Sequence, residues 1–161
     1  DPVTCLIRNY ECVFAGVYST YYWQNTAWNI VVYDPFRMGQ TFTPPRFDYY
    51  KNLNTLFTRY DFNALFSTKP KLTTNSRDGI ENLSSSGYSL TNGKDLFLFF
   101  IPDESQHINT ILPEPESSRI NVTWFNPFTG EFTDKESIPW SEWQEFKPPW
   151  ENNACVLIIE M

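Results

Sequence analysis

Hydrophobic side chains follow two different periods along this chain, and the change between them falls near residue 67. In the stretch RFDYYKNLNTLFTRYDF, Tyr50, Leu53, Phe57 and Tyr60 stand three or four apart. That spacing lines them up on one side of a helix, which turns once in 3.6 residues. Thr43 followed by the pair Pro44-Pro45 suits the helix start. Residues 5–15, CLIRNYECVFA, read as a helix end. The overlapping run CVFAGVYSTYYW is β-branched and aromatic with Gly16 inside it, and periodicity alone does not separate helix from strand there. NTAWNIVVYDPF closes on Asp34-Pro35, and RMGQTFTPPRF is a loop punctuated by Gly39 and the paired prolines.

Past Phe66 the chain turns polar, through STKPKLTTNSRDGIENLSSSGYSLTNGKD, and short strands then dominate. The alternation predicts strands at Gly87–Leu90, Leu96–Ile101, Ile120–Phe125, Glu131–Thr133, Trp143–Lys147 and Ala154–Glu160. Turn residues separate them: Asn92-Gly93, Pro102-Asp103, Asn126-Pro127, Pro148-Pro149 and Asn152-Asn153. Short strands with regular turn signals point to an antiparallel sandwich or small barrel. The segment VTWFNPFTGEFTD reads as a hairpin inside it, with Pro127 early in the turn and Gly130 free to take a positive φ.

Composition adds a setting. The 161 residues are 18% aromatic and 41% hydrophobic, enough for a core. The net charge of −7 argues against nucleic acid, whose phosphates call for clustered Lys and Arg. The longest apolar runs, LFLFFI and CVLII, fall far short of the roughly 20 residues of a membrane-spanning helix, so no membrane partner is expected. Cys5, Cys12 and Cys155 are an odd number, which admits one pair with one left over or a partner elsewhere. Two sequons, at Asn82 and Asn121, sit in a chain rich in Asn, Ser, Thr and Tyr. Together they favour a secreted, extracellular setting with both asparagines as glycosylation sites. The chain starts at Asp1 and is expected to be a processed product or a segment of a longer one.

Four motifs then stand in order: LFLFFIP (Leu96–Pro102), WFNPFTG (Trp124–Gly130), FKPPW (Phe146–Trp150) and CVLII (Cys155–Ile159). This order resembles the C-terminal part of an apiosidase-like glycoside hydrolase family, in which a (β/α)8 barrel is followed by a small β domain named for collagen binding. Arg8, Tyr10, Gly16, Tyr22, Trp28 and Asp34-Pro35 resemble the family's last strand–helix unit; Ser19 stands where it usually has a second glycine, and Thr20-Tyr21 where it has His-Thr or Phe-Thr. The resemblance implies an α+β fold class: the last strand-helix unit of a TIM barrel over residues 1–66, then a small antiparallel β-sandwich over residues 67–161. One such unit cannot close a barrel, so the upstream part of its own parent chain is an expected partner.

Glycoside hydrolysis needs two carboxylates about 5–9 Å apart, and the resemblance implies that both lie on strands upstream of Asp1, with no catalytic residue in this chain. Glu11 and Asp34 are the candidate carboxylates within this chain. Glu11 reads as a surface residue, and Asp34 as a turn residue or a substrate contact. Tyr22, Trp23 and Trp28 follow the presumed eighth strand, on the face where barrel sites form. With Gln24 and Asn25 beside them they suit a sugar, which offers an apolar C–H face and hydroxyls; packing of the barrel rim is the other reading. Trp140, Trp143 and Trp150 either form a sugar platform or dock the β module. His107 has Asp103 and Glu104 nearby but not the several ligands a zinc site requires, so neither metal nor cofactor is expected. The reading is a C-terminal piece of a secreted glycoside hydrolase-like protein that lines a sugar pocket and binds carbohydrate. The alternative is a non-catalytic extracellular structural or adhesive protein on a hydrolase-like scaffold, with extracellular assembly as its business.

Overall fold

The first helix, α1 (Pro2–Phe14), buries Leu6, Tyr10, Val13 and Phe14 along one side, the i, i+4 spacing of an amphipathic helix. Gly16 ends it at φ +82°. Its N–H donates to Val13 O (3.0 Å), and the N–H of Val17 reaches back to Cys12 O (3.0 Å), the paired bonds that close a helix on a left-handed residue. The run around Gly16 is therefore a helix terminus through residue 16, where the resemblance had implied a strand. A computed structural model of the chain describes residues 2–18, 46–68, 72–75, 81–82, 88–102, 108–150 and 154–161, with backbone pairing alone for 72–75 and 81–82.

The second helix, α2 (Phe47–Arg59), falls within the expected stretch, with Asp48 in its first turn and Arg59 in its last, each suited to the helix dipole at its end. Its buried side is turned slightly from the expected stripe. Asn52, Leu56 and Tyr60 are buried, with Tyr49, Leu53 and Phe57 packed beside them; Tyr50 lies at the margin, half-buried. A single 3-10 turn, Phe62–Ala64, follows.

Among the described residues ten strands come next: β1 (Phe66–Thr68), β2 (Leu72–Asn75), β3 (Glu81–Asn82), β4 (Tyr88–Thr91), β5 (Leu96–Ile101), β6 (Ile108–Ile111), β7 (Arg119–Phe125), β8 (Glu136–Pro139), β9 (Trp143–Phe146) and β10 (Cys155–Glu160). They form a six-stranded sheet in the order β1-β4-β5-β10-β7-β8 and a four-stranded sheet in the order β3-β2-β6-β9. Every pairing is antiparallel. Strand β10, flanked on both sides, is apolar at every position from Cys155 to Ile159, as a strand covered on both faces must be.

Alternation along the strands of the larger sheet divides two cores. Leu90, Leu98, Phe100, Phe125, Val156 and Ile158 face α1 and α2 and pack with Leu6, Tyr10, Phe14, Leu56 and Tyr60. Phe99, Ile101, Ile120, Val122, Trp124, Cys155, Leu157 and Ile159 face the smaller sheet and meet Ile108 and Phe146 across the gap. The protein is thus three layers deep: helices, six-stranded sheet, four-stranded sheet. The expected sandwich is present, and one side of its larger sheet carries the helix layer. Thr123 shows it, lying on that side and only 1% exposed.

Candidate functional site

The hairpin after β7 meets α2. Phe125 bridges to Phe132, the N–H of Asn126 donates to Glu131 O (2.9 Å) and that of Gly130 to Asn126 O (2.8 Å). The Asn126 side-chain oxygen accepts from the N–H groups of Phe128 (2.9 Å) and Thr129 (3.3 Å), fixing the turn from within. Trp124 and Thr133 exchange two bonds, Thr133 N–H to Trp124 O and Trp124 N–H to Thr133 Oγ1, both 2.9 Å. The turn leaves the carbonyls of Pro127 and Phe128 pointing at α2. There the Asn52 amide nitrogen donates to both at 3.0 Å.

Gly130, at φ +77°, lies against the same asparagine. A Cβ there would stand 2.5 Å from Asn52 Oδ1, well inside van der Waals contact. Aromatic rings close the sides: Tyr49 meets Phe128 edge-on at 5.7 Å, Phe125 and Phe132 lie 4.7 Å apart, and the Arg59 guanidinium covers Phe132 at 4.5 Å. The WFNPFTG motif is therefore a docking turn for α2. Its amides and carbonyls are paired with one another and with Asn52, and the Thr129 hydroxyl donates to the Glu131 carboxylate (2.9 Å); these bonds hold geometry.

The three tryptophans of the rim separate. Trp140 and Trp150 pack against the core between the sheets. Trp143 is 63% exposed. It lies on β9, the edge of the four-stranded sheet, with Glu145 on the same side while Phe146 points into the core. Ile111 and Asn109 of β6 stand opposite Trp143 and Glu145, both half-buried where their neighbours Ile108 and Thr110 are fully buried. This outer sheet face carries an indole beside an amide and a carboxylate. Of the three, Trp143 alone lies on β9, and Trp140 and Trp150 flank that strand.

Tyr22, Trp23, Trp28 and Asp34, the expected sugar contacts, lie outside the described residues, as does His107. Glu11 is on α1 in an ion pair with Arg8 (2.5 Å), which raises the arginine pKa. Asn82 is in β3, paired with Thr74. Asn121 is half-buried on β7, between Ser137 and Glu160, next to the ion pair of Lys135 with Glu160 (2.6 Å). Cys5 and Cys12 are on α1, and Cys155 is buried across the larger sheet from them. Among the described residues no group of three His, Cys, Asp or Glu is placed to hold a metal, and no helix is long and apolar enough to cross a membrane. Between α1 and α2 there is a shallow crevice walled by Leu6, Tyr10, Tyr49 and Leu53. Burial pushes the Tyr10 phenol pKa far up, so the phenol stays neutral and is no acid or base at ordinary pH.

The fold defines the class: an antiparallel β-sandwich backed by a layer of helices. Residues 80–160, about half of the chain, match the family described as "Putative collagen-binding domain of a collagenase", and the chain belongs to that family. Among solved structures, one titled "Glycoside hydrolase" matches with a TM-score of 0.63 at 14% identity, over 96% of this chain and 36% of that one. A glycoside hydrolase family 5 structure from Bacteroides vulgatus ATCC 8482 matches with a TM-score of 0.52 at 18% identity, over 71% of this chain and 24% of that one. At such identities the fold is what is shared, and the chain spans between a quarter and about a third of those proteins' lengths. No curated protein matches the chain.

Proposed function

We propose that the chain is the C-terminal part of a secreted glycoside hydrolase-like protein, in which the helices belong to the end of a (β/α)8 barrel and the sandwich is an accessory module held rigidly against it. The observation that carries this reading is the junction: Asn52 of α2 holds the Pro127 and Phe128 carbonyls at 3.0 Å over a core shared by both layers. A module that swings on a linker shares no core with its neighbour; this one is built to keep a fixed orientation. The glycoside hydrolases of the same fold, of which the chain spans only part, and the family membership support the rest. Tyr22, Trp23, Trp28 and Asp34 line the sugar site at the barrel mouth in this reading, the hydrolytic carboxylates come from the remainder of the parent protein, and the sequons at Asn82 and Asn121 carry glycans.

The test is reducing-sugar release from an oligosaccharide panel by the parent protein and by residues 1–161. Turnover by the parent alone is expected; turnover by neither overturns the reading. Trp28→Ala in the active parent removes one stacking face. It should weaken binding by about 1–3 kcal/mol, raising KM with kcat nearly unchanged. An unchanged KM with lowered thermal stability would make Trp28 a packing residue.

A further inference from the structure

We propose that the Asn92-Gly93 turn is a deamidation site that the fold holds closed and unfolding opens, so that a molecule left unfolded is modified covalently and kept from refolding. Asn92-Gly93 is the one Asn-Gly pair in the sequence, and it joins β4 to β5. Glycine has no Cβ, so its backbone nitrogen meets little hindrance on approaching the side-chain amide before it, and the attack is intramolecular. Hydroxide removes the proton of the Gly93 nitrogen, and that nitrogen bonds to Asn92 Cγ. The Cγ–Nδ2 bond breaks, and Nδ2 leaves as ammonia by taking a proton from water, which restores the hydroxide. Water then opens the succinimide ring at either carbonyl and leaves aspartate or isoaspartate at position 92. Nothing is oxidised or reduced.

Each polar group that reacts is held in the folded turn. Asn92 Oδ1 accepts from the N–H groups of Lys94 (3.0 Å), Asp95 (3.1 Å) and Leu96 (3.1 Å), and Asn92 Nδ2 donates to Asp95 Oδ1 (2.7 Å). The attacking group is engaged too: the Gly93 N–H donates to Thr91 Oγ1 (3.0 Å), and that hydroxyl donates to Leu96 O (2.8 Å). To cyclise, the amide must leave its partners and the Gly93 N–H must give up its own, so the reaction waits on an opening of the turn. Neighbours resist that opening. The Met161 N–H donates to Asp95 O (2.8 Å), and the Phe66 ring lies 3.1 Å from where a Cβ at Gly93 would stand. The strands on either side pair Leu90 with Leu98, both fully buried in the core beneath the helices. The two products differ in consequence. Aspartate keeps the main-chain length but sets a carboxylate against that of Asp95, a contact of like charges. Isoaspartate carries the main chain through the former side chain and lengthens the turn by one atom. Loop length fixes hairpin register, and this register is what seats Leu90 and Leu98 in the core. A converted molecule therefore drops out of the folding equilibrium.

The test incubates the 161-residue chain at mildly alkaline pH under reducing conditions, in buffer and in guanidinium chloride. Peptide mass spectrometry follows position 92, and enzymatic methylation reports isoaspartate. The folded chain should convert at least about tenfold more slowly than the unfolded one. Thr91→Val removes the acceptor of the Gly93 N–H, and Asp95→Ala frees Nδ2. Each should raise the folded rate severalfold and leave the unfolded rate nearly unchanged. Should either variant fail to fold, the folded and unfolded rates of the unsubstituted chain decide. After the denaturant is removed, size exclusion separates refolded from unrefolded chain, and the unrefolded fraction should be enriched in isoaspartate at position 92. Chain unfolded for the same time at weakly acidic pH, where the Gly93 nitrogen keeps its proton, should refold. The proposal is overturned if the folded chain converts as fast as the unfolded one, if folded variants convert no faster than the unsubstituted chain, or if both fractions carry equal isoaspartate. Faster conversion in the folded chain would also overturn it, since the N–H groups on Asn92 Oδ1 would then be stabilising the oxyanion of the attack.

Discussion

A methyl group added at Gly130 has two difficulties at once: a backbone at φ +77° and an oxygen of Asn52 2.5 Å from the new carbon. The left-handed backbone alone costs an L-residue about 1–2 kcal/mol, and pushing Asn52 away also weakens its bonds to the Pro127 and Phe128 carbonyls. Gly130→Ala should therefore destabilise the chain by about 2–4 kcal/mol, read by urea unfolding. Asn52→Ala strands the same two carbonyls and should cost about 2–3 kcal/mol. The informative quantity is the cycle. With Asn52 already cut back, the alanine at position 130 meets no oxygen, so the two losses together should fall short of their sum by more than about 0.5 kcal/mol. Strict additivity would mean that the two residues do not touch. The turn itself was legible in the sequence, because Asn126-Pro127 and Gly130 carry their conformational preferences with them. Asn52 was not, since a polar residue on the apolar side of a helix has no signature until its partner, some 75 positions along the chain, is known.

Among the elements, legibility followed hydrophobic density. Strand β5 has the expected bounds, and β7, β10 and α2 lie within a few residues of theirs, because each has a long apolar run or stripe that only one period satisfies. Strands β1, β2, β3, β6 and β8 were missed. They read FST, LTTN, EN, INTI and ESIP, and their pairing is dictated by neighbouring strands more than by their own side chains. Glu131–Thr133 was expected as a strand and forms only the bridge through Phe132, because the docking turn occupies the residues beside it. On α1 the phenol of Tyr10 is 1% exposed, lies against Phe14 and Phe100 and has no hydrogen-bond partner among the described residues. Burial raises its pKa above the usual 10.0, and that of Tyr60 is raised by burial and by Glu160, against a smaller opposing effect of Arg59. The folded protein keeps these protons while the unfolded chain releases them above pH 10, so their contribution is complete below that pH and fades as pH rises through it. Stability should fall above pH 10 by about 1.4 kcal/mol per pH unit for Tyr10, with Tyr60 adding to the fall in the same direction. Tyr10→Phe should flatten the fall by one tyrosine's share and leave stability at pH 7 within about 1 kcal/mol. An alkaline melting series with the same slope for both proteins would count against a buried neutral phenol.

For the molecule as a whole, the decisive feature is that its sequence character changes near residue 67 while its core does not. Leu6, Tyr10, Phe14, Leu56 and Tyr60 precede that point; Leu90, Leu98, Phe100, Phe125, Val156 and Ile158 follow it; all are packed together. Removing the helices would uncover the face of the six-stranded sheet that carries those six side chains, all fully buried at present and drawn from β4, β5, β7 and β10. Each large apolar side chain returned to water forfeits about 1.5–3 kcal/mol, so half a dozen forfeit about 9–18 kcal/mol, as much as the roughly 5–15 kcal/mol that holds a typical domain together. Residues 67–161 alone should therefore fail to melt cooperatively, and residues 1–66 should fail too, since their apolar sides have no other partner among the described residues. The 161-residue chain should show one calorimetric transition, with equal calorimetric and van't Hoff enthalpies. Asn52→Ala should lower that single transition without splitting it, because two bonds lost at the junction leave the shared core in place. Two resolved transitions, or a cooperative melt of residues 67–161 at a temperature near that of the longer chain, would mean that the sandwich is self-sufficient and that the helices only rest upon it. The same measurement bears on function, because a sandwich that cannot fold without its helices cannot serve as a separately mobile binding module.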